Sequence, residues 1–215
     1  MKIILGSSSP NRKELMDKLG VAYSIMEPDY EEIIIEDRGA IEQVEEFALG
    51  KGESVYEKVI AKPHGFPEQV RDENFLVLAF DSMISCEGRA IGKAKTKKEA
   101  FEQIQSFVGK PQEIITGVAV LGQVNGQKVS EVFHDVTPVL FRDDITNCQI
   151  RSFLEFGDWK GKCGSYSILG TGIFFLESIN GDFQNIVGIP VLKMGKVIER
   201  LTGKSVFNVF RRDVS

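Results

Sequence analysis

The chain has 215 residues, 42% of them hydrophobic and 27% charged, an ordinary mixture for a protein that buries a core. Twenty-six basic against 31 acidic residues leave a net charge of −5, which excludes a global positive field for a nucleic-acid polymer. A local basic pocket for a small anion remains compatible with that balance. The length does not force a split into domains.

The cysteines, Cys86, Cys148 and Cys163, are odd in number and lack CxxC spacing. They predict a reducing compartment, and with it a cytoplasmic protein, rather than a disulfide scaffold. The apolar run Ile3-Ile4-Leu5 is too short for a signal-peptide core. No segment approaches the roughly 18 apolar residues that suggest a membrane span.

Taken in order, Ile3–Leu5 reads as a short buried strand. Pro10 suits the first turn of a helix with Ser9 as its cap, and Gly20 as its stop. A short strand near Tyr23–Met26 precedes an acidic stretch from Asp29 to Asp37. Ala40–Val59 has helical spacing, and Pro63-His64-Gly65-Phe66-Pro67 is the best candidate linker. Phe75–Phe80 is continuously apolar, as a strand covered on both faces should be, and is expected to end at Asp81. Met83–Ile91, turning at Glu87-Gly88, predicts a hairpin that delivers Lys93. Thr96 and Glu99 form a capping box for a helix to about Val108. A second hairpin, Ile114–Leu121 with Lys128–Phe141, turns at Asn125-Gly126. A helix near Ile145–Phe156, a glycine-punctuated stretch, a strand over Ile173–Leu176 and a closing helix over Val191–Leu201 complete the chain. Alternating strands and helices with two hairpins predict an α/β fold with a mixed sheet.

Several constellations carry possible chemistry. Gly6-Ser7-Ser8-Ser9-Pro10-Asn11-Arg12-Lys13 joins a strand to a helix start, where free backbone N–H groups and hydroxyls attract anions. It matches neither the Walker A loop nor GxGxxG, and a capped helix with a solvated basic turn explains it equally well. Asp81 after the apolar run stands where α/β sheets gather ligands, although a turn aspartate is the commoner reason for such a residue. Lys51 between Gly50 and Gly52 suggests close approach by some other part of the structure, another helix being one candidate. Lys51 and Lys93 taken singly read as surface lysines. Glu31-Glu32 with Glu36-Asp37 is an acidic loop able to lend a metal ligand. His64 and His134 show no zinc spacing, and no GxSxG elbow is present.

The order of these pieces resembles the Maf (septum-formation-inhibitor-like) family. Ser7-x-Ser9-Pro10-x-Arg12-x-Glu14-Leu15 resembles SxSPRRxEL, and Glu32 falls at the second acid of an Asp-Glu pair. Lys51 matches the KAxAV helix, Ala79-Phe80-Asp81-Ser82 the AxDT segment, and Gly88 to Lys93 the GxxLxK hairpin. Thr116-Gly117-Val118 matches TGV, Gly161-Lys162-Cys163-Gly164-x-Tyr166 matches GKAGxY, and Gly181 to Pro190 matches GDYxNVVGLP.

The resemblance implies an elongated mixed β-sheet with flanking helices, in two lobes around a cleft, similar to inosine triphosphate pyrophosphatases. Residues 1–215 would then form a single Maf-like domain. It implies a nucleoside triphosphate pyrophosphatase that takes a pyrimidine or modified nucleotide to monophosphate and pyrophosphate. Asp81, Lys51 and Lys93 would be catalytic, and Ser7, Ser9, Arg12 and Lys162 would hold phosphates. Glu32 and Asp81 would hold Mg²⁺ or Mn²⁺. A homodimer is implied, with no nucleic-acid polymer or membrane as partner. Asn11, Ser82 and Leu169 occupy positions tied to base choice, where one subgroup has arginine, threonine and glutamine. Ala94 also replaces a family proline. A second function, from another class, is a nucleotide-binding regulator of cell division with little turnover, and a third is a phosphatase releasing orthophosphate stepwise.

Overall fold

A computed structural model describes residues 1–33, 35, 38–61 and 74–210. Glu36, Asp37 and the expected linker Pro63–Pro67 lie outside the described residues. The first strand, β1 (Lys2–Gly6), leads into helix α1 (Pro10–Lys18), strand β2 (Tyr23–Ile25) and the long helix α2 (Ala40–Ala61). Strands β3 (Phe75–Cys86) and β4 (Arg89–Ile91) and helix α3 (Lys97–Phe107) follow, then the hairpin β5 (Pro111–Val124) and β6 (Gln127–Phe141). Helix α4 (Asn147–Phe156), strand β7 (Leu176–Ile179) and helices α5 (Phe183–Val187), α6 (Val191–Thr202) and α7 (Val206–Val209) complete the described chain.

The strands form one mixed sheet in the order β2-β1-β3-β5-β6-β7, with β4 paired to β3. Parallel pairing joins β1 to β2 and β3, and every other pairing is antiparallel. The expected α/β class with a mixed sheet and flanking helices is therefore present. Both hairpin turns fall as expected, because Glu87, Gly88, Asn125 and Gly126 all take positive φ.

Alternation along β3 divides the core. Phe75, Val77 and Ala79 pack beneath α2 with Val55, Tyr56 and Val59. Leu76, Leu78 and Phe80 face the opposite way, onto Met16 of α1 and Met194 and Ile198 of α6. Each such side chain, fully buried, contributes about 1.5–3 kcal/mol through removal of apolar surface from water. A third cluster gathers Ile84, Ile104, Phe107, Phe141, Ile150 and Tyr166 around the far end of β3.

Three expectations need correction. Strand β3 continues through Asp81 to Cys86, because Asp81 pairs with Gly117 of β5 in an unbroken antiparallel ladder. Residues Thr171–Phe175 form a 3-10 turn, and the strand begins only at Leu176. Ser9 occupies the α1 cap position without a side-chain capping bond. The close approach expected at the glycines around Lys51 is present, made by the Tyr30 ring and the sheet: a Cβ at Gly50 would strike that ring, and one at Gly52 would strike Leu121. Closeness of α2 to β5 also explains Gly117, where an added Cβ would lie 2.2 Å from the Val44 carbonyl oxygen.

Candidate active site

Period-two alternation puts Asp81 on the α2 face of β3, two residues beyond Ala79. On α2, Lys51 falls in the buried stripe that includes Val44, Ala48, Val55 and Val59, so its stem is packed and its ammonium reaches the sheet. Lys51 Nζ donates to Asp81 Oδ1 at 2.6 Å and contacts Glu32 Oε1 at 2.5 Å. Asp81 is 6% and Lys51 8% exposed, so neither is a surface charge. The surface reading of Lys51 is thereby corrected, and its heptad-like spacing was the signal that could have revealed it.

Electrostatics separate the two acids. Burial raises the Asp81 carboxyl above the usual range, with Lys51 and Arg12 opposing that rise and Glu32 adding to it. Burial also pushes Glu32 upward, but Lys51, Lys93 and Arg12 outweigh it and hold Glu32 below its usual range. Glu32 is the better ionised partner; Asp81 is the more basic one.

The serine turn forms the next wall. Ser7 Oγ accepts from the Ser9 N–H at 3.2 Å and from Arg12 Nη1 at 3.3 Å, which leaves its own O–H free to donate. Arg12 also donates from Nη1 to the Phe80 carbonyl at 3.0 Å, from Nη2 to Ser82 Oγ at 3.0 Å, and from Nε to the Gly188 carbonyl at 3.0 Å. Burial lowers the guanidinium pKa, and the nearby charges of Asp81 and Glu32 offset part of that. Gly188, at φ 112°, brings its backbone close to this group; a Cβ there would lie 3.0 Å from Arg12 Nε.

The opposite wall is set by a loop-to-strand contact. Lys93 and Cys163 form an isolated antiparallel bridge, and the Gly164 N–H donates to the Gly92 carbonyl. Gln103 donates to that same carbonyl and accepts from buried Ser165, fixing the loop that carries Lys162. Cys163 lies half-buried, its Sγ 3.9 Å from the Ser82 carbonyl. Burial raises its thiol despite Lys93, so it stays protonated near neutrality and is not an activated nucleophile.

These walls enclose one cavity of about 980 Å³. Ser7, Ser9, Asn11, Arg12, Glu32, Lys51, Asp81, Ser82, Lys93, Lys162 and Leu169 all line it. The site residues that the family resemblance implied are thus brought to a common opening, whereas Glu31 of the acidic loop does not line it. Two polar residues given no role there, Thr116 and Asn185, lie fully buried just behind it. Both stand inside quoted sequence patterns, but nothing in one sequence separates a buried hydroxyl from an exposed one.

The fold and cleft define a mixed-sheet α/β protein whose buried charges converge on one open cavity. The family model described as Maf-like protein matches residues 2–201, and the chain belongs to that family. It is 30% identical over 205 residues to the dTTP/UTP pyrophosphatase of Ruminiclostridium cellulolyticum, covering 95% of this chain and 98% of that one. It is 32% identical over 209 residues to the dTTP/UTP pyrophosphatase of Methanococcoides burtonii, covering 96% and 98%. The Staphylococcus aureus Ham1 protein superposes over 66% of this chain and 73% of that chain, with TM-score 0.39 and 16% identity, too weak a likeness to argue from.

Proposed function

We propose that the chain hydrolyses a pyrimidine or modified nucleoside triphosphate between its α and β phosphates, releasing the monophosphate and pyrophosphate. The named activity of its relatives supports this, and the observation that carries it is Asp81: a buried, basic carboxylate held by Lys51 at the cavity wall. Asp81 accepts a proton from water as the water oxygen bonds to phosphorus and the bridging P–O bond breaks. Lys51 keeps the carboxylate in place through Oδ1. Lys93 and Lys162 supply positive charge from the opposite wall, and Ser7 and Ser9 supply donors at the start of α1.

The donor set suits a divalent cation carried in with the triphosphate. Among the described residues no group of three His, Cys, Asp or Glu gathers, so these residues alone form no cage. Mg²⁺ or Mn²⁺ needs only one or two protein carboxylates when phosphate oxygens complete its shell, and Glu32 and Asp81 would provide them. When bound, the ion neutralises charge on the phosphate oxygens. In this reading residues 1–215 form one Maf-like domain with two lobes flanking the cleft, working in the cytoplasm as a homodimer. No described helix is long and apolar enough to cross a membrane.

Product analysis with UTP and Mg²⁺ tests the proposal. Monophosphate and pyrophosphate support it; diphosphate and orthophosphate overturn it. Asp81→Asn, which cannot accept water's proton, is expected to bind nucleotide and lose turnover. Full activity in that variant removes Asp81 from the mechanism.

A further inference from the structure

Strand β3 is paired with β1 as far as Ala79 and with β4 from Ile84 onward. Between them, residues 80–83 have no strand neighbour on that edge among the described residues. Carbonyls two residues apart leave the same edge of a strand, so those of Phe80 and Ser82 open into this interruption. Arg12 Nη1 satisfies the Phe80 carbonyl, and the Cys163 thiol approaches that of Ser82. Phe80 and Ser82 are the two neighbours of Asp81, and Arg12 holds both, the first by its carbonyl and the second by its hydroxyl.

The guanidinium is itself fixed from behind. Thr116 Oγ1 donates to the Asn185 carbonyl at 3.0 Å, so the hydrogen in its 2.9 Å contact with Ser82 Oγ comes from Ser82. Ser82 accepts from Arg12 and donates to Thr116. Asn185 in turn donates to the Ile114 carbonyl and to Thr137 Oγ1, each at 3.0 Å, which anchors the chain of bonds to β5 and β6. With four of its five N–H groups engaged by Gly188, Ser7, Phe80 and Ser82, Arg12 has one left for anything entering the cavity.

We propose that Arg12, oriented by Ser82 and Thr116, is a positioning residue that bridges the interruption in the sheet and fixes the Asp81 carboxylate for catalysis. This rests on Asp81 acting as the base. It also assigns the Ser82 hydroxyl to the protein interior rather than to the nucleobase. Thr116 is 0% exposed, so any effect of changing it reaches the reaction through its neighbours.

The experiment measures kcat and KM for UTP hydrolysis in Thr116→Val, Thr116→Ser and Arg12→Lys, with Asp81→Asn alongside and thermal melts of each. Thr116→Val is expected to lower kcat about 10- to 100-fold, as a small misplacement of a reacting group does, with KM within about twofold. Thr116→Ser restores kcat, because it keeps the hydroxyl. Arg12→Lys resembles Thr116→Val, since one ammonium cannot hold both Phe80 and Ser82 in a fixed fork. Unchanged kcat in Thr116→Val overturns the inference. So does a raised KM at full kcat in Arg12→Lys, which marks a phosphate ligand, or a Thr116→Ser variant as impaired as Thr116→Val. If Asp81→Asn turns over normally, the reading of Asp81 as base fails instead.

Discussion

The ammonium of Lys51 lies 2.6 Å from Asp81 Oδ1, both groups nearly sealed from water and both facing the cleft from adjoining layers of the fold. That contact opposes the effect of burial on the Asp81 carboxyl without cancelling it. Lys51→Met leaves Asp81 buried without its cation, a change that costs about 3–5 kcal/mol where the carboxylate is ionised. The deficit shrinks in acid, where Asp81 takes up a proton and no longer needs the partner. Denaturant unfolding of both proteins at neutral and acid pH measures the difference; a constant deficit would show that lost packing, not charge, is responsible.

Because burial raises the Asp81 carboxyl, the acid limb of kcat/KM is expected above the ordinary carboxylate range. The sign for stability runs the other way. A carboxyl raised in the folded state favours the fold below its unfolded value, and that contribution is lost as pH rises through the folded one. Asp81→Asn should therefore melt no lower than wild type above neutrality while losing turnover. A pH–rate profile together with a melting curve checks both halves.

Gly117 is where α2 lies closest to the sheet. Gly117→Ala would force the Val44 backbone away from a methyl group 2.2 Å from its oxygen, displacing the helix that carries Lys51. A loss above about 4 kcal/mol is expected, as for other severe core clashes. Gly39→Ala, with nothing within 4 Å, is the control and should fold normally. Calorimetry of the two variants compares them directly.

Leu169 is 46% exposed at the cavity rim, so Leu169→Gln adds an amide without breaking a core. Stability is expected to stay within about 0.5 kcal/mol. The ratio of kcat/KM for UTP over GTP is expected to rise about tenfold, the scale of one new polar contact. Equal kcat/KM ratios in variant and parent would place the base elsewhere in the cleft.

Much of the fold was legible in the chain itself. The unbroken apolar run before Asp81, the Glu87-Gly88 and Asn125-Gly126 turns, and the Thr96 cap each act through near neighbours, so local pattern suffices. The Thr96 hydroxyl accepts from the Glu99 N–H, but the expected capping box is only half formed, because Glu99 accepts from the Lys95 N–H instead of the Thr96 N–H. Misreadings arose where distant pairing overrode local pattern. A charged residue looked like the end of β3, yet β5 supplies a complete ladder past it. Leu176 looked like the end of a strand, yet it begins β7, because pairing with β6 starts only there.

By itself, the sequence determined most of the longer elements, the mixed α/β class and the ordered patterns that mark the family, since periodicity and turn chemistry are encoded within a few residues. Tertiary structure decided which groups the polar residues meet. Arg12 reads as an anion ligand beside its serines, but the fold brings Gly188 to it across 176 residues and engages most of its donors. Lys51 reads as a surface charge until α2 is laid on β3 and its stripe is seen to meet Asp81. Burial and partnership are long-range properties, set by which faces the packed layers press together.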